Sequence, residues 1–317
     1  MDTLIYSIRK LLYGLPLIFG VTFISFFLMV YCGPDKTFDL VGKNPTQEEI
    51  NQIRHELGYD QPFLKRYYDF LLEVVTFDFG HTESSGEKVT KIMARAIPVS
   101  LVLQLPGFIL GNLFGVVLGL VSAFNRGRIT DKLIMVFSVV GMSISFLIVL
   151  IGFQLIFCSY FGLNWFPVTG WSTESIGEYA YYVTVPTLAT VFVALGYNTR
   201  FYRAVLVEEM SRDHVRTAKA YGCGPMELMF KHVLKNAMIP IITRIVFTLP
   251  FLIISGSFLI EYFFSIPGIG YETLTAIVTG DLPLVKAVVV SVALLYVLML
   301  ILVDILYKTV DPRISLK

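Results

Sequence analysis

The sequence predicts an all-α membrane protein of six transmembrane helices with a small helical insertion on the outer side, and three observations predict it. The chain is 55% hydrophobic and 15% charged, far more apolar than the roughly half apolar, one-quarter charged balance of a soluble domain. Its apolar runs continue past the length at which a soluble helix would turn a polar face to water. Its Lys and Arg residues gather in alternate connections, as membrane topology requires.

A spanning helix needs about 20 mostly apolar residues. Residues 11–31, 99–124, 133–161 and 179–199 contain no Lys, Arg, Asp or Glu. Residues 238–260 carry only Arg244, and 284–306 only Lys286 and Asp304, each read as close enough to a span end for its side chain to reach the interface. The first run follows Arg9 and Lys10 but is too long for a secretory signal, and Tyr31 before Cys32 argues against lipoprotein cleavage.

Basic residues then set the orientation. Arg9 and Lys10, Arg126, Arg128 and Lys132, the Arg200 to Lys235 group, and Lys308, Arg313 and Lys317 fall on one side, whereas the short loop 162–178 has no Lys or Arg. That side is read as the cytoplasm, with both termini inside. The chain thus divides into an N-terminal segment with the first span (1–32), an outer insertion (33–98) and a core of five spans (99–317) with a cytoplasmic loop over 203–237.

The insertion reads as short helices. Thr46 and Glu49 form a capping box, and Gly58 stands where a left-handed C-terminal cap belongs. Pro62 opens a second helix whose Phe63, Tyr67, Phe70, Leu71 and Val74 share a face that needs a partner, either the membrane surface or the outer ends of the spans. In the second span Gly107, Gly111, Gly115 and Gly119 recur every four residues, a stripe that lets another helix approach closely.

Several functions are argued against. The only Gly-Lys pair, Gly42 and Lys43, lacks the rest of a phosphate-binding loop, so the chain alone is not expected to hydrolyse ATP. No Asp, Glu or His falls deep in a predicted span, as a proton-coupled carrier or intramembrane enzyme would need. The four histidines lack ligand spacing, and a net charge of +1 gives no nucleic-acid footprint. Cys32, Cys158 and Cys223 form no closed framework; Cys32 and Cys158 could share a membrane face, but apolar packing is the favoured reading.

The longest inner connection, 203–240, describes two short helices and a tight turn. Ser211 or Asp213 caps the first, Val215, Ala218 and Tyr221 share a face, and Gly222 stops it. Gly224 precedes Pro225 at the first position of the second helix, which runs into the fifth span. Ala218 and Gly222, small and four apart, leave a shallow spot for another protein.

The run Asp213-His214-Val215-Arg216-Thr217-Ala218-Lys219-Ala220-Tyr221-Gly222, followed by His232, Asn236 and Pro240, resembles the coupling loop of ABC importer permeases of the oligopeptide, dipeptide and nickel branch. Glu261 followed by Phe264, Ser265, Ile266, Pro267, Gly268, Ile269 and Gly270 resembles that family's acidic residue and turn. Gly33-Pro34, Leu57-Gly58-Tyr59-Asp60-Gln61-Pro62, Tyr67, Phe79-Gly80 and the ending Asp311-Pro312-Arg313 resemble the first of the two permeases in such systems.

The resemblance implies a type I ABC importer architecture in the bacterial inner membrane, with peptides as the solute. It implies a homologous second permease, two cytoplasmic ATPase subunits that bind ATP and Mg, and an extracytoplasmic solute-binding protein, with no cofactor in this chain. Asp213, Val215, Arg216, Thr217, Ala218, Tyr221 and Gly222 would form the coupling helix, supported by His232, Asn236 and Pro240. His214 stands where the family usually has tyrosine, and Phe77-Asp78-Phe79-Gly80-His81 replaces the commoner Gly-Asp-Leu-Gly-Ser. Nickel or opine import remains open as a family alternative, and a secondary transporter or channel subunit as an alternative of another class.

Overall fold

The computed structural model describes residues 2–32, 37, 46–56, 58–250, 252 and 258–310. Gly33, Pro34, Gly42, Lys43, Leu57 and the Asp311-Pro312-Arg313 ending lie outside the described residues. Twelve helices can be named among them. They are α1 (Asp2–Cys32), α2 (Gln47–Glu56), α3 (Phe63–Thr76), α4 (Val89–Phe124), α5 (Ile129–Ser143), α6 (Phe146–Phe157), α7 (Ile176–Met210), α8 (Asp213–Ala220), α9 (Pro225–Pro250), α10 (Phe258–Phe264), α11 (Ile269–Thr279) and α12 (Leu282–Val310). Among the described residues the only extended pairing is the isolated bridge between His81 and Lys88.

Four helices, α4, α7, α9 and α12, are long and apolar enough to cross a membrane, and α5 with α6 makes a fifth candidate if the bent pair is one span. Within α1 the apolar stretch is the shorter Leu12–Leu28.

The glycine stripe fixes the central pair. A methyl group built on Gly111 would lie 2.8 Å from the Ala194 Cβ, and on Gly115 2.7 Å from the Asn198 Cβ. On Gly107 it would lie 3.0 Å from Thr190, and on Gly119 3.0 Å from Tyr202. The four positions thus meet α7 in one register, backbone against side chain, where dispersion replaces a hydrophobic drive that lipid does not supply. Gly115→Ala is expected to cost about 1–3 kcal/mol by overpacking, read as a lower melting temperature of the detergent-solubilised protein. An unshifted transition would show that the seam has slack.

The stretch 133–161, read from sequence as one continuous span, is corrected: it breaks at Ile144, which is extended (φ −81°, ψ 132°), and α5 and α6 meet at 99°. The cause is tertiary. A methyl group on Gly196 of α7 would lie 2.8 Å from the Met142 amide nitrogen and 2.9 Å from the Ser138 carbonyl, so the end of α5 rests on the α7 backbone. The Phe192 ring of α7 then fills the inside of the bend, 5.7 Å from Phe137 and 5.8 Å from Phe153.

The insertion folds back on the bundle. Thr46 N–H donates to Glu49 Oε2 (2.8 Å), and Glu49 N–H donates to Thr46 Oγ1 (3.4 Å), forming the capping box of α2. Gly58 is left-handed (φ 67°). Phe70 and Val74 of α3 are buried in a cluster with Phe26 of α1, Val89 and Ile92 of α4, and Leu284 and Val288 of α12. The partner of the α3 face is therefore the helix ends. Lys286, near the start of α12, has a side chain 15% exposed that pairs with Glu73 of α3 and lies 5.4 Å from the Phe70 ring centre. Cys158 is a free, buried thiol, so the bridge to Cys32 is not formed.

Candidate functional site

The loop after α7 begins with Ser211, which closes α7 rather than opening α8. Its hydroxyl donates to the Glu208 carbonyl (2.6 Å), and Arg212 occupies the position before α8 without a side-chain cap. Asp213 lies in the first turn, where its charge suits the helix dipole. The capping role expected of Ser211 or Asp213 is therefore corrected.

Val215 (4% exposed) and Ala218 (7%) turn inward, and Val215 packs with Tyr202, Leu206, Met229, Val233 and Ala237. Ala218 is thus an internal contact and not a shallow spot on the surface. Tyr221 leaves that face and is 87% exposed. Asp213, Arg216, Thr217 and Gly222 are exposed as well. Gly222 is left-handed (φ 84°), with Cys223 N–H donating to the Ala218 carbonyl (3.2 Å), and this closes α8 as a glycine cap does. Gly224 and Pro225 start α9, whose residues Leu228–Leu234 form a wider π-helical stretch before the helix resumes.

A polar cluster holds α8 from beneath. The Glu209 carboxylate, at the end of α7, lies 3.0 Å from Arg212 Nε and 3.2 Å from His214 Nε2. The Asn236 amide of α9 lies 2.9 Å from the same histidine nitrogen and donates to the His232 carbonyl (2.8 Å). The His232 ring itself is 3.9 Å from the Cys223 sulfur. Pro240 lies one turn further along α9, half-buried and away from the loop.

One turn inward, Asp131 of α5 receives a bidentate ion pair from Arg203 of α7, at 2.6 and 2.7 Å. Ser122 Oγ (2.5 Å) and the Gly127 N–H (2.9 Å) donate to the same carboxylate, which is 4% exposed. This group joins the α4–α5 turn to the segment that carries α8. Sequence patterning counted Arg203 only as one of the basic residues that set the orientation and gave Asp131 no role, because the partners are far apart in the chain.

At the other end of α9, Glu261 is fully buried, and its Oε2 accepts the Tyr271 N–H (3.0 Å). Its backbone carbonyl accepts the Ile266 N–H (2.8 Å), and the Ile269 N–H donates to Ser100 Oγ of α4 (2.8 Å). A side chain on Gly268 would overlap Glu261 Oε2 and Ser100 Oγ, and a methyl on Gly270 would lie 2.8 Å from that carboxylate oxygen. Pro267 is exposed at the apex. The turn is thus built around a buried carboxylate.

The Arg244 side chain faces a cavity of about 280 Å³ between α4, α7 and α9. Its Nε and Nη2 lie 3.3 Å from Asn198 Oδ1, and its guanidinium stacks 4.7 Å from the Phe201 ring centre. Asn198 Nδ2 donates to the Gly111 carbonyl (3.2 Å), and Tyr202 OH donates to Asn112 Oδ1 (2.5 Å), so the cavity wall continues the glycine seam.

The described residues thus form a helical core with several apolar helices and a short surface helix held on a polar cluster. Residues 115–316 match the family described as binding-protein-dependent transport system inner membrane component, and residues 3–103 match its N-terminal companion. The chain belongs to this family of ABC importer permeases. It is 31% identical to the dipeptide transport system permease protein DppB of Lactococcus lactis, covering 98% of this chain and 99% of the relative. It is 30% identical to DppB of Bacillus subtilis (98% of each chain) and 30% identical to the glutathione transport system permease protein GsiC of Escherichia coli (98% and 99%).

Proposed function

We propose that the chain is one of two homologous permease subunits of an importer for peptides, with two ATPase subunits docked at α8 and a solute-binding protein on the opposite face. Peptide as the solute is supported by the names of the relatives, which cover nearly the full length. Four spans are supported by α4, α7, α9 and α12 and a fifth by the α5–α6 pair; in this reading α1, with its apolar stretch Leu12–Leu28, makes the sixth, and the distribution of Lys and Arg puts both termini in the cytoplasm and the insertion outside, in the bacterial inner membrane. ATP and Mg belong to the partner ATPases.

The observation that carries the docking reading is the exposed face at the loop. Arg216 and Thr217 of α8 are exposed, as are Tyr221 just after it (87%) and Met226 (67%) and Phe230 (56%) at the start of α9, while the other face of α8 is anchored. Exposed aromatic and Met side chains next to an arginine are the composition of a binding hot spot. ATP-driven closure of the ATPases moves α8, and the Glu209 and Asn236 contacts pass that movement to α7 and α9. The packed α4–α7 pair then tilts as a unit to open the pathway outward. Reconstitution with the ATPases and the binding protein in liposomes is expected to give ATP-dependent uptake of di- to tetrapeptides. Uptake that needs no ATP, or that ignores peptides, would overturn the reading.

A further inference from the structure

We propose that the cavity between α4, α7 and α9 receives the carboxylate end of the transported solute, through the Arg244 guanidinium and the Gln104 amide. The inference rests on the peptide reading and names the site within the pathway that reads one end of the solute.

It begins with the cations inside the bundle. Arg203 is matched by Asp131, and Lys286 by Glu73. Among the described residues no carboxylate lies within ion-pair distance of Arg244, whose partners are the neutral Asn198 carbonyl and the Phe201 ring. A guanidinium carries five N–H donors in a fork that matches a carboxylate, and only two of them point at Asn198, on a single oxygen. An unmatched cation within a long apolar helix is costly, and such residues mark solute pathways.

The wall opposite adds a second, independent donor. Gln104 Nε2 is buried and has no hydrogen-bond partner among the described residues, and it lines the same cavity. Among the described residues no Asp or Glu lines it, while Asn112, Asn198 and Thr248 complete a neutral polar rim. The volume, about 280 Å³, falls at the lower edge of small-molecule sites and suits one end of a solute rather than a whole one. Gln104 lies near the middle of α4 and Asn198 within the α7 seam, so the cavity is set well inside the helix bundle. A carboxylate passing there would meet both donors without displacing a built-in anion. That suits a transit station, which must bind and release.

The test is equilibrium binding of a radiolabelled dipeptide, Ala-Phe, and of its C-terminal amide to the assembled complex in lipid nanodiscs, without the binding protein. The intact complex is expected to bind the acid at least tenfold tighter than the amide. Arg244→Gln should bind both alike, and Arg244→Lys should keep part of the preference. Comparing two probes on the same variant removes misfolding from the result, since lost folding weakens both equally. An Arg244→Gln complex that retains the acid preference overturns the assignment, as does an intact complex that takes up dipeptide in liposomes but binds acid and amide alike. A complex that takes up no peptide overturns instead the peptide reading, and this inference with it.

Discussion

Gly222→Val is expected to cut peptide uptake about tenfold or more while ATP hydrolysis by the reconstituted complex continues. Gly222 holds φ at 84°, and a side chain there costs about 1–2 kcal/mol, more for a β-branched residue. A tenfold change corresponds to about 1.4 kcal/mol, so relaxation of the strained turn alone is enough to misplace Tyr221 and the end of α8. Within this chain a methyl at Gly222 would meet nothing within 4 Å, so steric conflict arises only with a partner seated on the loop. Gly222→Asn, which tolerates the left-handed region, should lose less than Val. Uptake per ATP hydrolysed, measured in the same liposomes, separates the outcomes. An unchanged ratio in the Val variant would remove the loop from the coupling path.

Asp131→Asn is expected to destabilise the subunit by about 3–5 kcal/mol, the cost of leaving one member of a buried ion pair alone. The pair is 5% and 22% exposed at its two side chains and is further bound by Ser122 and Gly127. The variant should melt at lower temperature and yield less assembled complex. Asp131→Asn combined with Arg203→Met should regain much of the loss, because no lone charge remains. A single variant that melts like the parent protein would show that water reaches the pair and screens it.

Local signals in the sequence were legible where the physics is local. Gly222 and the Gly224-Pro225 start are backbone requirements of single residues, and the Thr46–Glu49 box spans one helical turn, so each could be read in place. The glycine stripe was legible as a seam because spacing alone puts Gly107 to Gly119 on one face. The partner across the seam was not, since Thr190, Ala194, Asn198 and Tyr202 lie about 83 residues further on in the chain. The same limit explains the misread elements. Nothing in Ser143-Ile144-Ser145 breaks a helix as Pro or Gly would, and the bend follows from the approach of Gly196 and the Phe192 ring. Arg244 in an apolar run gave no sign of Asn198 and Phe201, its neighbours on α7. Ala218 was small enough to suit an external contact or an internal one, and burial against the chain itself decided between them.

The bend between α5 and α6 bears on the lipid around the subunit. Limbs of 15 and 12 residues are about 22 and 18 Å long at 1.5 Å per residue. With the second limb turned by 99° from the direction of the first, their far ends stand roughly 26 Å apart, short of the roughly 30 Å thickness of a hydrocarbon core. Were the pair to cross as one span with its tips in the headgroup layer, acyl chains beside this elbow would have to shorten or splay, at a cost of fractions of a kcal/mol per Å. One flank of the subunit would then favour thinner membranes, which would make bilayer thickness a variable that acts on this importer from outside its protein partners.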